Sequence, residues 1–304
     1  MKDDVEDFIY SIQAAGLIPP EWPLQVDGQI HRYATNGRRS DDAGWYVLHM
    51  VYTGRGTRLY GAAGDWRSGT VVFWHSGGET QSPSEAAALR VEIERQQRER
   101  ARERRERHHR GRQQAEALWA AATSCAEPHP YLTAKGLPAD FGLGLDNGDL
   151  LVPMRDWNGD LHNLQRISPE GRKLYGSGRA AGLVHVMGRL DGRSVILAEG
   201  YATARSALLA DLAETVVVAF SAGQLKAAAT EIRRRFPRAL RWVLADNDRQ
   251  TPGNPGLTAA KEAATAIGGN VLVPDDGSTG SCDFNDLWRS YGSGAHSCLI
   301  EVTP

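Results

Sequence analysis

The spacing of apolar positions changes character three times along the chain. Between Trp22 and His75, aromatic and aliphatic residues alternate with polar ones in short runs, as in Gly44-Trp45-Tyr46-Val47-Leu48-His49 and Thr70-Val71-Val72-Phe73-Trp74. Turn signals separate them at Asn36-Gly37 and Ala63-Gly64-Asp65. Period two predicts strands, here a small antiparallel β-rich module with a short helix before it. From Ser84 to Thr123 the apolar positions thin out, with no proline and one glycine, Gly111, in a dense mixture of Glu, Arg, Gln and Ala. Opened by Ser82-Pro83-Ser84-Glu85, this composition predicts a long helix. Almost nothing apolar lies between Ile93 and Leu118, so no hydrophobic stripe is expected to dock there.

Beyond Pro128-His129-Pro130 the pattern changes again. Leu150–Met154 and Leu161–Ile167 flank Trp157-Asn158-Gly159-Asp160, a hairpin signal. Apolar runs at Ser194–Ala198, Thr215–Phe220, Arg241–Ala245 and Asn270–Val273 then alternate with helical patterns at Ala202–Ala213, Leu225–Phe236 and Pro255–Ile267. Short, continuously apolar strands between helices predict an α/β parallel sheet covered on both faces. The expected organisation is a β-rich N-terminal module (1–82), a charged helical connector (83–127), a basic α+β lobe (128–192) and the parallel-sheet domain (193–304).

Charge matters by location. The chain has 304 residues, 41% hydrophobic and 24% charged, with a formal net charge of −2, an ordinary composition for a domain that folds in water. Within Glu85–Arg112, ten arginines face six glutamates. This segment reads as a solvated connector laced with Glu–Arg pairs, with an arm for a nucleic-acid backbone as the alternative. No apolar run approaches the length of a membrane span, and the acidic start MKDDVEDFIY is unlike a secretory signal, which predicts a cytoplasmic protein without membrane contact. Three scattered cysteines, Cys125, Cys282 and Cys298, offer neither a disulfide framework nor a zinc ribbon.

In an open α/β sheet, ligands collect at the carboxyl ends of the strands. Three carboxylates fall there: Glu199 after Val195–Ala198, and Asp246 and Asp248 after Val243–Ala245. Side chains two apart on an extended segment point the same way, and an all-oxygen set suits Mg²⁺ or Mn²⁺. Such a site serves phosphoryl or nucleotidyl transfer. Asp283 and Asp286 read equally as an extension of this cluster or as a helix cap with its partner. Asn254-Pro255-Gly256 reads as a helix start, with phosphate binding as the alternative, and Gly223 and Lys226 stand near a second strand end.

The segment Glu199-Gly200-Tyr201-Ala202-Thr203-Ala204 (EGYATA), with Asp246-Asn247-Asp248, Ala219–Leu225, Asn254–Lys261 and Asp283–Leu287, resembles the Toprim domain, most closely that of plasmid and phage DNA primases. The resemblance covers about residues 128–290. It implies a Toprim (Rossmann-like) fold and a nucleotidyltransferase that makes short primers on single-stranded DNA from nucleoside triphosphates. Glu199 would then be the general base or its metal-bridging equivalent, with Mg²⁺ or Mn²⁺ on Asp246 and Asp248. Arg155, Arg166 and Lys173 resemble the basic lobe ahead of Toprim, where Arg166 and Lys173 would contact template or triphosphate. Two other readings stay open, a Toprim nuclease and a non-catalytic replisome or nucleic-acid adaptor. Residues 1–124 lack cysteine, so template choice would fall to something other than a zinc ribbon. Trp45, Trp66 and Trp74 of the N-terminal module read first as core and second as stacking platforms. No G-x-x-x-x-G-K-[ST] loop occurs, so any replicative helicase is expected to be a separate polypeptide.

Overall fold

The computed structural model describes residues 2–35, 42–53, 56–77, 83–189 and 192–304, and among these the side chains of all but 53, 83–97, 99 and 100. The Asn36-Gly37 turn and Ser82 lie outside the described residues. The chain divides into two compact units, 1–102 and 103–304, with the division inside the long helix α2 (Pro83–Ala121).

In the first unit, α1 (Lys2–Ala14) precedes the antiparallel strands β1 (His31–Tyr33), β2 (Gly44–Thr53), β3 (Gly56–Asp65) and β4 (Val71–His75), paired in chain order. The period-two runs fold as strands, but Ala63-Gly64-Asp65, read as a turn, is the end of β3, with Ala63 and Gly64 paired to both β2 and β4 and Asp65 to β2. Val5, Phe8 and Ile12, on one stripe of α1, share a buried core with Tyr46, Leu48, Leu59 and Ala63. Trp74 packs on Phe8 at a centroid distance of 5.4 Å, and Trp45 lies 5.6 Å from Trp66. Trp66 is 60% exposed.

The second unit opens with a five-stranded antiparallel sheet of β5 (Thr123–Cys125), β6 (Asp140–Asp146), β7 (Asp149–Arg155), β8 (Leu161–Ile167) and β9 (Lys173–Tyr175), with the short α3 (Pro130–Ala134) between β5 and β6. The last turns of α2 dock on it. Ala115, Leu118, Trp119 and Ala122, at helical spacing, pack with Leu151, Leu161 and Leu164. This corrects the reading of α2 as a pure connector. Gly111 explains itself here, because a Cβ at this position would collide with the backbone of Gly178.

A second sheet follows: β10 (His185–Gly188), β11 (Ser194–Ala198), β12 (Thr215–Val218), β13 (Leu240–Leu244), β14 (Asn270–Pro274) and β15 (Leu299–Val302), interleaved with α4 (Tyr201–Leu209), α5 (Ala222–Arg235), α6 (Pro255–Ile267), α7 (Phe284–Tyr291) and a 3₁₀ helix (Gly292–Cys298). The strand order is β10-β12-β11-β13-β14-β15. The four central strands are parallel, as the continuous apolar runs predict, and the edges β10 and β15 are antiparallel, so the sheet is mixed. Each edge strand mixes polar or exposed positions into its four residues, His185 and Gly188 in β10 and Glu301 in β15, so no continuous apolar run announces it. Val195 and Leu197 join the α5/α6 core, whereas Ile196 and Ala198 join the core shared with α4, α7 and the first sheet. Both faces are therefore covered, which is why these strands carry no polar alternation. No helix among the described residues is long and apolar enough to cross a membrane.

Candidate active site

Chain order reverses around β11, which lies between β12 and β13; a crevice for ligands opens at the strand ends of such a switch point. Ala198 pairs with Leu244 across β11 and β13, so the next residues, Glu199 and Ala245-Asp246, leave the sheet side by side. Glu199 is fixed further by its carbonyl, which accepts from the Phe220 N–H at 2.8 Å, and its carboxylate accepts a hydrogen bond from the Ala222 N–H at the start of α5.

The loop after β13 is tied on two sides. Asn247 forms an isolated antiparallel bridge with Cys282, and its side-chain amide donates to the Pro274 carbonyl at 2.9 Å. This bridge brings Asp283 toward Asp246. Asn254 caps α6 from the left-handed region (φ 42°). Its side-chain oxygen accepts from the Asp248 N–H at 2.9 Å and the Leu257 N–H at 3.3 Å, and its amide donates to Asn247 Oδ1 at 2.8 Å. The Asp248 carboxylate accepts in turn from the Gly256 N–H at 3.2 Å. Gly256 is required there, since a Cβ would strike the Asp246 carbonyl and sit 2.8 Å from Asp248 Oδ2.

The acids are coupled electrostatically. Burial pushes the Asp246 carboxyl up to about 7, helped by the charges of Asp283, Glu199 and Asp248 and opposed by Lys173. Glu199 is raised by burial and by Asp248, and lowered by the Ala222 bond and Lys173. Asp283 is raised by burial and by Asp286, and lowered by hydrogen bonds and Lys135. Asp246 Oδ1 is buried with no hydrogen-bond partner. An orphaned carboxylate oxygen among other hard oxygen donors fits a divalent cation. The acids are not drawn onto a common point, however: among the described residues, the only trio of ligand atoms mutually within 4.8 Å is Asp156, Asp160 and His162, in the β7–β8 hairpin. Hydrogen bonds account for that trio as a turn, with His162 3.0 Å from Asp156 Oδ2 and Asp156 Oδ1 accepting from Asn158 and Asp160.

The basic residues separate into two groups. Lys173 is at the acidic centre, its Nζ 3.8 Å from where a Gly200 Cβ would stand. The others have local partners. Arg166 pairs with Asp149 at 2.9 Å and Asp146 at 3.2 Å; Arg155 donates to the Gly159 carbonyl at 2.9 Å and lies over Trp119; Lys226 is 3.8 Å from Glu262 on the surface. Gly223 lies in the first turn of α5 with open space around its Cα. Asp286 completes a reciprocal capping box with Asp283, accepting from the Asp283 N–H at 3.1 Å while Asp283 Oδ1 accepts from the Asp286 N–H at 2.9 Å. Both readings of Asp283 thus have a structural counterpart, since it caps α7 and raises Asp246.

Three further residues shape the surroundings, of which Tyr201 belongs to the EGYATA segment. Tyr175 donates to the Phe220 carbonyl at 2.6 Å and senses the Glu199 charge. Lys135 lies near Asp283. Tyr201 is fully buried and donates to Asp140 Oδ2 at 2.6 Å, with Arg205 3.5 Å from the same carboxylate.

Residues 194–294, which hold the central parallel sheet and its acidic strand ends, match the model of the Toprim domain family. In sequence the chain is similar to DNA primase TraC of Escherichia coli, 31% identical over 284 residues, across 88% of this chain and 26% of that protein. A second Escherichia coli DNA primase TraC is 29% identical over 290 residues, across 88% and 19%. The chain spans about a quarter or less of the length of these relatives. Among solved structures, the primase fragment of the bacteriophage T7 primase-helicase protein aligns with a TM-score of 0.44 and 17% identity, over 59% of this chain and 75% of that one.

Proposed function

We propose that this chain is a DNA-directed primase of plasmid or phage replication, a nucleotidyltransferase that joins nucleoside triphosphates on single-stranded DNA with Mg²⁺ or Mn²⁺. The observation that carries the reading is the electrostatic coupling of Asp246 to Glu199, Asp248 and Lys173 beside the switch point, with Asp246 Oδ1 unpartnered. The kinship with primases supports it. In this reading Asp246 and Asp248 hold the cation, with Asp283 as a further acid. When bound, the cation lowers the pKa of the attacking hydroxyl and offsets charge on the phosphate and leaving oxygen.

Glu199 takes the proton of the attacking 3′-hydroxyl, a task suited to a carboxylate whose proton affinity is raised. The 3′-oxygen bonds to the α-phosphorus, the α–β bridging bond breaks, and pyrophosphate leaves with that electron pair. Lys173 faces the polyanion and orients the triphosphate. A replicative helicase is a partner in this reading, as a separate polypeptide.

The test supplies labelled ATP, the other nucleotides and circular single-stranded DNA with Mg²⁺ or Mn²⁺. The expected products are short oligomers from the wild type and none from Glu199→Gln or Asp246→Asn. Shortened DNA in place of new oligomers would turn the assignment to a nuclease. No product of either kind would leave an adaptor.

A further inference from the structure

A groove runs along α5 away from the acidic centre. It begins at Gln224, two residues beyond the Ala222 that holds Glu199, where Gln224 Oε1 accepts from the Gly182 N–H at 2.8 Å. It follows one face of the helix through Ala227, Ala228 and Glu231 to Arg234 and Arg235, a length of about 16 Å for eleven residues. There the groove, of about 580 Å³, joins a second cavity of about 730 Å³ between the β7–β8 hairpin and the end of α5. Aromatic rings line this second cavity: Arg235 lies 5.4 Å over Trp157, and Arg155 lies 5.8 Å over Trp119.

The charge along this path is positive. Arg155, Arg179, Arg234 and Arg235 line the two cavities against Asp156 and Glu231, and Glu231 is shared between Arg234 at 2.8 Å and Arg235 at 3.3 Å. Arg179 extends the cationic surface to the exposed face of α2, since His108 lies within the field of Arg107, Arg104 and Arg179 together. Guanidinium groups at the rim over indole rings match a polymer with an anionic backbone and flat bases. A protein segment would gain nothing from a four-to-two excess of arginine unless it were acidic.

We infer that the groove along α5, from Gln224 to Trp157, holds a single strand of nucleic acid, its bases stacking on Trp157 and its phosphates on Arg179 and Arg234. This rests on the primase reading for its biological sense, although binding is measurable without synthesis. The full chain is titrated with a fluorescein-labelled 20-nucleotide oligothymidylate in EDTA, at several salt concentrations, with anisotropy as the readout. Trp157→Ala weakens binding about tenfold and Trp157→Phe restores most of it. Arg179→Glu combined with Arg234→Glu weakens it further and flattens the slope of log affinity against log salt by about 1.4, two phosphate contacts at about 0.7 each.

A 5-iodouracil oligonucleotide crosslinked to the wild type maps the contact without any variant that depends on folding. Crosslinks confined to residues outside this groove, or unchanged affinity in the Trp157 and arginine variants, overturn the inference, including in favour of an acidic protein segment as occupant. Wild-type binding that follows this pattern without primer synthesis would instead refute the primase reading and leave the groove standing.

Discussion

Asp246→Asn separates the electrostatics of the acidic centre from its chemistry. The folded chain holds the Asp246 proton more tightly than an unfolded one, at about 7 against 3.8. The sign of the linkage follows: the corresponding stability is fully present below pH 3.8 and drains away as pH rises through 7. At about 1.4 kcal/mol per decade of proton affinity, the ceiling at pH 8 is about 4 kcal/mol. The carboxylate is half-buried, and water screening reduces the expected gain on removing the charge to about 2 kcal/mol. In a domain of this size that corresponds to about 4–8 °C in Tm.

The assay is thermal unfolding of wild type and Asp246→Asn in EDTA at pH 5 and pH 8, then at pH 8 with added Mg²⁺. The variant is expected to melt higher than the wild type at pH 8, by a smaller margin at pH 5, and to make no primers. Mg²⁺ should raise the wild type and leave the variant nearly unmoved, because only the wild type has the repulsion to relieve. A variant that melts at or below the wild type at pH 8 in EDTA, or whose advantage is equal at both pH values, would refute the argument.

Other consequences follow from single contacts. His185, buried at the start of β10, is pushed down to about 4 by burial, so it stays neutral in the fold while an unfolded chain takes up a proton below 6.5; stability should fall by about 2 kcal/mol between pH 7 and pH 5, and His185→Gln should flatten that fall in urea titrations. Tyr201→Phe removes the hydrogen bond to Asp140 but keeps the packing, and should cost about 1–3 kcal/mol by the same measurement. Gly256→Ala drives a methyl into the Asp246 carbonyl, and should cost about 2 kcal/mol and lower primer synthesis more than tenfold. Lys173→Met removes the cation that opposes protonation of Asp246 and Glu199, so half-maximal Mg²⁺ binding, followed by calorimetry, should move to higher pH.

The central sheet was legible because its strands are buried on both faces and the acids stop the apolar runs: Val195–Ala198 ends in Glu199 and Val243–Ala245 in Asp246. The helix start at Asn254 was legible for the same local reason, a capping residue ahead of proline. Its second task, holding the Asp248 N–H, was not, because that bond reaches across a loop whose path no local rule fixes. Lys173 entered through resemblance alone. Arg166 entered the same way, and the Asp146 and Asp149 that engage it sit on a hairpin seventeen and more residues away. Ala115, Leu118, Trp119 and Ala122 did show helical spacing, but the charged run before them masked it.

The four acids differ in how the backbone treats them, and that difference singles out one. Glu199 takes an N–H from α5, Asp248 from α6 and Asp283 from α7, each at a helix N-terminus where the dipole favours a negative charge. Those N–H groups aim the three carboxylates, although burial still raises Glu199 and Asp283. Asp246 stands at the middle of the strand end with no such donor, and it alone is carried close to neutrality. The fold therefore leaves one electrostatic deficit at its centre, enclosed by oriented oxygens. In the proposed metal site a divalent cation would displace the proton that Asp246 holds, so the primase reading makes Asp246 the residue through which cation binding and pH would be coupled.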